Sequence, residues 1–210
     1  MENKNKVYKK KCLNCKERFT PQRSSQVVCS PSCAYEYAKS DKARKSEKKA
    51  WKRRKAKMSE EVMSLSEHKK LLEKEINTIV RILDDFQPCM MCGTKIEKQF
   101  ACHYHAVEAN DTLRFNLYNI WGGCYSCNGK KGGNIIGYDE KLIKTYGRYK
   151  WEYIKFDLVR EYPAIKLTVP EIKEARQKAK KIIKELEVKK YSIAERWAYR
   201  ELINNEIGIY

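Results

Sequence analysis

Eight of the nine cysteines fall into two quartets, Cys12-x2-Cys15-x13-Cys29-x3-Cys33 and Cys89-x2-Cys92-x31-Cys124-x2-Cys127. Nothing else in the chain constrains its folding as much. A C-x-x-C knuckle presents two thiolates from one tight turn, and a second close pair completes a tetrahedron around Zn²⁺ with Zn–S near ~2.3 Å. Two structural zinc ions are therefore expected, with Cys12, Cys15, Cys29 and Cys33 holding one and Cys89, Cys92, Cys124 and Cys127 the other. The ninth, Cys102, stands alone, and an odd count suits two metal sites better than a disulfide framework. The N-terminal MENKNKVYKKK contains no apolar run of a secretory signal, so a reducing cytoplasm, where thiols bind metal, is the expected location. The first quartet sits in a segment too short for its own core, so metal binding would drive its folding.

Lys and Arg number 45 against 27 Asp and Glu, a net charge of +18. A surplus of that size suits a polyanionic partner: DNA, RNA or an anionic membrane surface. Much of it is concentrated at Lys39, Lys42, Arg44, Lys45, Lys48, Lys49, Lys52, Arg53, Arg54, Lys55 and Lys57, opposed only by Asp41 and Glu47. The cations go all round a helix, so this stretch either is solvated or lies along phosphates. Lys48, Lys49, Lys52, Arg53, Arg54 and Lys55, with Lys130 and Lys131 further on, are the expected DNA-binding residues. No run reaches the ~18 apolar residues of a transmembrane helix.

Composition and punctuation predict a mostly helical α+β chain in four parts: a zinc module at 8–34, a basic then amphipathic helical region at 35–86, a zinc-pinned core at 87–147, and C-terminal helices at 148–210. Ser30 and Pro31 read as N-cap and first helical residue. Leu71, Leu72, Ile76, Ile79, Val80 and Leu83 form an apolar helical stripe that ends before Pro88. That stripe packs on the next domain or supplies a homodimer contact. Leu142, Ile143 and Tyr146 suggest a helix stopped by Gly147. Residues 148–162 are aromatic-rich and fit either helix or strand, with helix the better match. Thr168 with Glu171 and Ser192 with Glu195 open two more helices, the first lined by Ile172, Ala175, Ala179, Ile183 and Leu186.

The 31-residue gap of the second quartet holds Cys102-His103-Tyr104-His105 and Asn119, and Asn128 follows its last cysteine. Two readings fit. The histidines are surface residues on a zinc ribbon, or they serve metal-assisted phosphodiester hydrolysis. In the second reading a neutral imidazole takes a proton from water. Mg²⁺ or Mn²⁺ stabilises the charge developing on phosphate, and an amide oxygen such as that of Asn128 is a suitable hard ligand. A strand–strand–helix unit fixed at its base by four cysteines would hold these groups rigid.

The stretch CMMCG followed by ACHYHAVEANDTLRFNLYNIWGGCYSCNGKKGGN resembles the zinc-pinned HNH, or ββα-metal, nuclease pattern. More narrowly it resembles the NinG/Rap recombination proteins of lambdoid phages. The matching steps are Cys89–Gly93, His103–Tyr104, Leu113–Phe115, Asn119, Cys124–Asn128 and Gly133–Asn134, and the resemblance spans about residues 10–190. It implies a phage-encoded, structure-specific DNA endonuclease acting on branched double-stranded intermediates such as D-loops and Holliday junctions. It further implies that His103 is the general base, that Asn119 braces the loop and that Asn128 is a metal ligand. Cys102 stands where such enzymes place a metal-binding Asp, and a thiolate is a poor Mg²⁺ ligand. His105, Glu108 and Asp111 are the candidate replacements. The competing readings are a non-catalytic zinc-finger recombination mediator, which needs no His103, and an RNA-associated basic protein. Residues 191–210 carry no assignment.

Overall fold

The computed structural model describes residues 8–97, 99–108 and 110–209, with the side chains of 41–43 also outside the described set. The chain divides into two units between Met63 and Ser64, inside the region 35–86.

In the first unit, β1 (Lys10–Lys11) pairs antiparallel with β2 (Arg18–Phe19). The turn between them is a knuckle. Cys12 N–H donates to Glu17 O at 2.8 Å, and Lys16 takes the left-handed conformation the reversal needs (φ 68). Helix α1 (Pro31–Lys39) starts as its sequence predicts: Ser30 Oγ accepts from Cys33 N–H at 3.2 Å, and Pro31 occupies the first turn, where a missing N–H costs nothing. Helix α2 (Asp41–Glu61) carries the basic run. From Arg44 to Glu61 every side chain but Ala50 is exposed, as cations on all sides require.

The second unit opens with α3 (Leu65–Leu83), whose reciprocal cap joins Ser64 N–H to Glu67 Oε2 at 2.8 Å and Glu67 N–H to Ser64 Oγ at 3.3 Å. Its buried Leu72, Ile76, Ile79, Val80 and Leu83 pack with Ile172, Ala175, Ala179 and Ile182 of α7 (Val169–Glu185) and with Ile203 and Ile207 of α8 (Ile193–Ile207). The apolar stripe of α3 is thus covered within its own chain and is not free to join two copies. On α7, Ile182 rather than Ile183 completes the fully buried row, because 172, 175, 179 and 182 stay on one face. Helix α3 ends ahead of Pro88, and the side chain of its capping residue, Asp84, is buried.

Between these helices runs a hairpin of β3 (Phe100–His103) and β4 (Ile120–Gly123), in register Cys102↔Trp121 and His103↔Ile120. Strand alternation gives it two faces. Ala101 and Ile120 join the α3–α7 core. Phe100, Cys102 and Trp121 join a second cluster, with Tyr138 and Leu142 of α4 (Ile135–Tyr146), Ile154 and Leu158. Gly147 (φ 87) ends α4, its N–H reaching Ile143 O at 2.9 Å. Residues 148–161 are helical, as expected: α5 (Arg148–Glu152) and α6 (Leu158–Glu161) are joined through a wide π turn at Tyr153–Asp157. Among the described residues no helix is long and apolar enough to cross a membrane.

Candidate metal centres and the surroundings of His103

Both quartets are assembled. In each, the four sulfur atoms lie within 4.8 Å of one another. Ligands at ~2.3 Å from a tetrahedral centre are ~3.8 Å apart. The Sγ separations match: Cys15–Cys29 3.6 Å, Cys29–Cys33 3.5 Å and Cys92–Cys124 3.9 Å. These are far from the ~2.05 Å of a disulfide.

The second quartet carries the donors that thiolates need. Cys89 Sγ accepts from Met91 N–H at 3.4 Å and Cys124 N–H at 3.3 Å. Cys124 Sγ accepts from Cys127 N–H at 3.4 Å, and Cys127 Sγ from Asn134 Nδ2 at 3.6 Å. Such bonds stabilise the ionised sulfur. The donor set is soft and all-thiolate, which fits Zn²⁺ and leaves no open position for chemistry. A metal here would tie the 89–92 knuckle to the end of β4. Gly123 makes that approach feasible, since a Cβ there would collide with Met91 Cε of the knuckle.

His103 ends β3 on the hairpin face opposite Cys102. Its Nε2 lies 3.2 Å from the carbonyl of Arg114. A carbonyl only accepts, so Nε2 carries the proton and Nδ1 keeps the lone pair. Burial holds its pKa below the ordinary histidine value, partly offset by the Arg114 carbonyl and by Glu73. The Arg114 side chain lies between Asp111 (3.5 Å) and Glu73 (4.0 Å), and Lys69 also pairs with Asp111.

Asn119 is fully buried and clamps the residue two beyond the histidine. Its Oδ1 accepts from His105 N–H at 2.7 Å, while its Nδ2 donates to His105 O at 3.1 Å and Leu113 O at 3.0 Å. One side chain thus closes the loop between the strands. The His105 ring turns away to Ile154 O, 2.7 Å from Nε2. Beside it, Asp139 accepts from Tyr104 Oη, Trp151 Nε1 (2.7 Å) and Lys155 Nζ (2.8 Å). Asn128, Lys130 and Lys131 are exposed at the π turn Ser126–Lys130 and just after it.

Of the candidate substitutes for the missing Asp, Glu108 acts electrostatically on the His103 ring, together with Glu73. His105 is spent on Ile154 O, Asp111 pairs with Lys69 and Arg114, and Glu108 is exposed. Among the described residues the two cysteine quartets are the only metal-competent groups of three or more Cys, His, Asp or Glu. The Cys102 thiol is buried, which pushes its pKa up to about 12.

Sequence reasoning missed the support for this hairpin from residues 191–210. Arg200 of α8 is fully buried and donates to Asp84 Oδ2 at 2.8 Å, Leu117 O at 3.1 Å and Ile120 O at 3.3 Å. Its guanidinium lies 3.7 Å from the centre of the Trp121 ring. Arg196 reaches Asp84 Oδ1 at 3.2 Å, and Gly122 N–H donates to Asp84 Oδ2 at 2.7 Å. Asn204 accepts from Leu117 N–H at 2.8 Å and donates to Asn116 Oδ1 at 3.0 Å. The spacing 196, 200, 204 marks one face of a helix, and that polar row was the available signal.

The fold and its sulfur clusters define a mostly helical α+β protein with two four-cysteine groups that could each hold a metal ion, one in the unit of the strongly basic helix and one beneath a hairpin. The chain belongs to the NinG family: the family model described as Bacteriophage Lambda NinG protein matches residues 4–189. Protein ninG of Escherichia phage 933W is 30% identical over 195 residues, covering 86% of this chain and 95% of the relative. Protein ninG of Escherichia phage lambda is 31% identical over 159 residues, covering 68% and 78%. That of Salmonella phage P22 is 30% identical over 158 residues, covering 68% and 78%. No solved structure matches the chain.

Proposed function

We propose that this protein is a divalent-metal-dependent endonuclease of branched DNA, built on an HNH-like unit within residues 87–147. The observation that carries the reading is His103: a strand-end imidazole whose Nε2 is held by the Arg114 carbonyl, leaving Nδ1 as the only basic atom. Burial keeps that ring neutral near pH 7, the state a general base requires. Nδ1 takes a proton from a water molecule, the resulting hydroxide attacks phosphorus, and the bond to the departing sugar oxygen breaks. That oxygen leaves with a proton from solvent.

Asn119 acts as a brace: it fixes His105, two residues beyond the base, and thereby the end of the strand. Asn128 offers the one protein oxygen of the HNH pattern for Mg²⁺ or Mn²⁺. Mg²⁺ commonly keeps several waters and few protein ligands, so a sparse shell suits it. When bound, the cation would stabilise charge on the phosphate. The zinc ions would be structural, and the exposed cations of α2 with Lys130 and Lys131 would hold the DNA backbone.

That the two all-cysteine quartets are the only groups of three or more candidate metal ligands among the described residues favours a second reading, a non-catalytic zinc-containing recombination mediator in the host cytoplasm. A labelled four-way junction incubated with Mg²⁺ or Mn²⁺ separates the two. His103→Ala should lose ~10²–10⁴ in cleavage rate with junction affinity unchanged. No cutting by either protein gives the mediator reading the field, and equal cutting by both would take the general-base role away from His103.

A further inference from the structure

We infer that Trp51 is a stacking platform for an unpaired base of single-stranded DNA, so that α2 grips an unpaired strand rather than an intact duplex. The inference rests on the DNA-binding reading of α2 and adds a residue and a substrate element to it.

Of the four tryptophans, three are built into the second unit. Trp121 is fully buried, Trp151 donates to Asp139, and Trp197 lies among the rings of Tyr118, Trp121 and Tyr146. Trp51 is 61% exposed, in the middle of a helix that has no apolar face. Trp51 belongs to neither hydrophobic core cluster.

Its neighbours indicate what it serves. Arg44, Lys48 and Arg54 line a surface recess with Trp51, and Glu47 is the one acidic residue there. At 100° per residue, Arg44, Lys48, Arg54 and Lys55 all project within ~60° of the indole. Lys48 and Arg54 stand three residues before and after it, ~4.5 Å along the axis in each direction. An aromatic plate flanked by cations along one line fits a single strand: the phosphates meet the cations and a base lies on the ring. Duplex DNA offers phosphates but no free base face. A branched substrate exposes such bases at its junction. An anionic membrane is a poorer match, because the residues lining the recess with Trp51 are all charged and offer no apolar surface to insert.

The test measures binding without added divalent cation, so that the outcome does not depend on cleavage. Fluorescein-labelled oligothymidylate, oligouridylate and a blunt DNA duplex of equal length are titrated with wild type, Trp51→Ala and Trp51→Phe, and the same proteins are tested for sedimentation with phosphatidylglycerol vesicles. Trp51→Ala should weaken oligothymidylate binding by about 5- to 150-fold, the range for removing one stacked base. Duplex binding should change less than about twofold, and Trp51→Phe should restore most of the loss. Unchanged zinc content and helix content show that the variants fold. An equal loss on duplex and single strand, no loss at all, or a loss confined to oligouridylate or to phosphatidylglycerol vesicles overturns the inference. Failure of the wild type to cut junctions would defeat the nuclease reading and leave this result untouched.

Discussion

Replacing Arg200 by Met removes the buried cation that joins α8 to the hairpin. The guanidinium is fully enclosed and makes bonds to Asp84, Leu117 O, Ile120 O and Arg196 O. Breaking a buried ion pair from one side costs ~3–5 kcal/mol, because the other charge stays behind. Here Asp84 keeps Arg196 and the Gly122 N–H, which argues for the lower half of that range. The carbonyls of Leu117 and Ile120 lose a donor, adding ~1 kcal/mol or more. Methionine returns part of the packing against Trp121. The sum is ~4 kcal/mol, a large share of the ~5–15 kcal/mol of a typical domain. With a urea m-value of ~2 kcal/mol/M, the midpoint should fall by ~2 M. Trp121 and Trp197 place the fluorescence signal in this unit, so the transition can be followed through them. The double variant Arg200→Met with Asp84→Asn should be more stable than additivity predicts, by at least ~1 kcal/mol. A midpoint shift below ~0.5 M, or strict additivity of the pair, would refute the claim that this ion pair carries the docking of α8.

Protein purified without added metal should contain two zinc ions per chain, one for each sulfur quartet; elemental analysis checks this, and normal folding after chelation would contradict it. Reversing Lys48, Lys52, Arg53 and Lys55 to Glu should weaken binding to all DNA sequences alike. It should reduce the slope of log K against log salt by up to ~4, and loss on a single sequence would instead make α2 a base reader. Burial lowers the His103 pKa, so the acid limb of the cleavage profile should lie below ~6.5. The same shift means the folded state binds fewer protons than the unfolded chain. Stability should therefore fall as pH drops through ~6.5 toward the folded pKa, and His103→Ala should remove that part of the pH dependence in urea titrations.

The sequence by itself determined the features whose physics is local. Thiols at C-x-x-C spacing must face one another across a single turn, so both quartets were legible, though their closing pairs lie 13 and 31 residues away. Ser30 with Pro31, Thr168 with Glu171, Ser192 with Glu195, and Gly147 announced helix ends because caps act within four residues. The all-round cations of α2 likewise excluded core packing without any knowledge of neighbours. Tertiary structure decided what the side chains of Asp84, His103, His105, Asn119, Arg196, Arg200 and Asn204 do. The proton position on His103 depends on a carbonyl eleven residues away, and the fate of His105 depends on Ile154, 49 residues away. Asp84 and Arg200 are separated by 116 residues, and each alone reads as an ordinary surface charge on a helix. Burial turns them into a pair, because a charge removed from water must find its opposite. No periodicity within either segment encodes the other's position; only the packing of α3 and α8 against the hairpin brings them together.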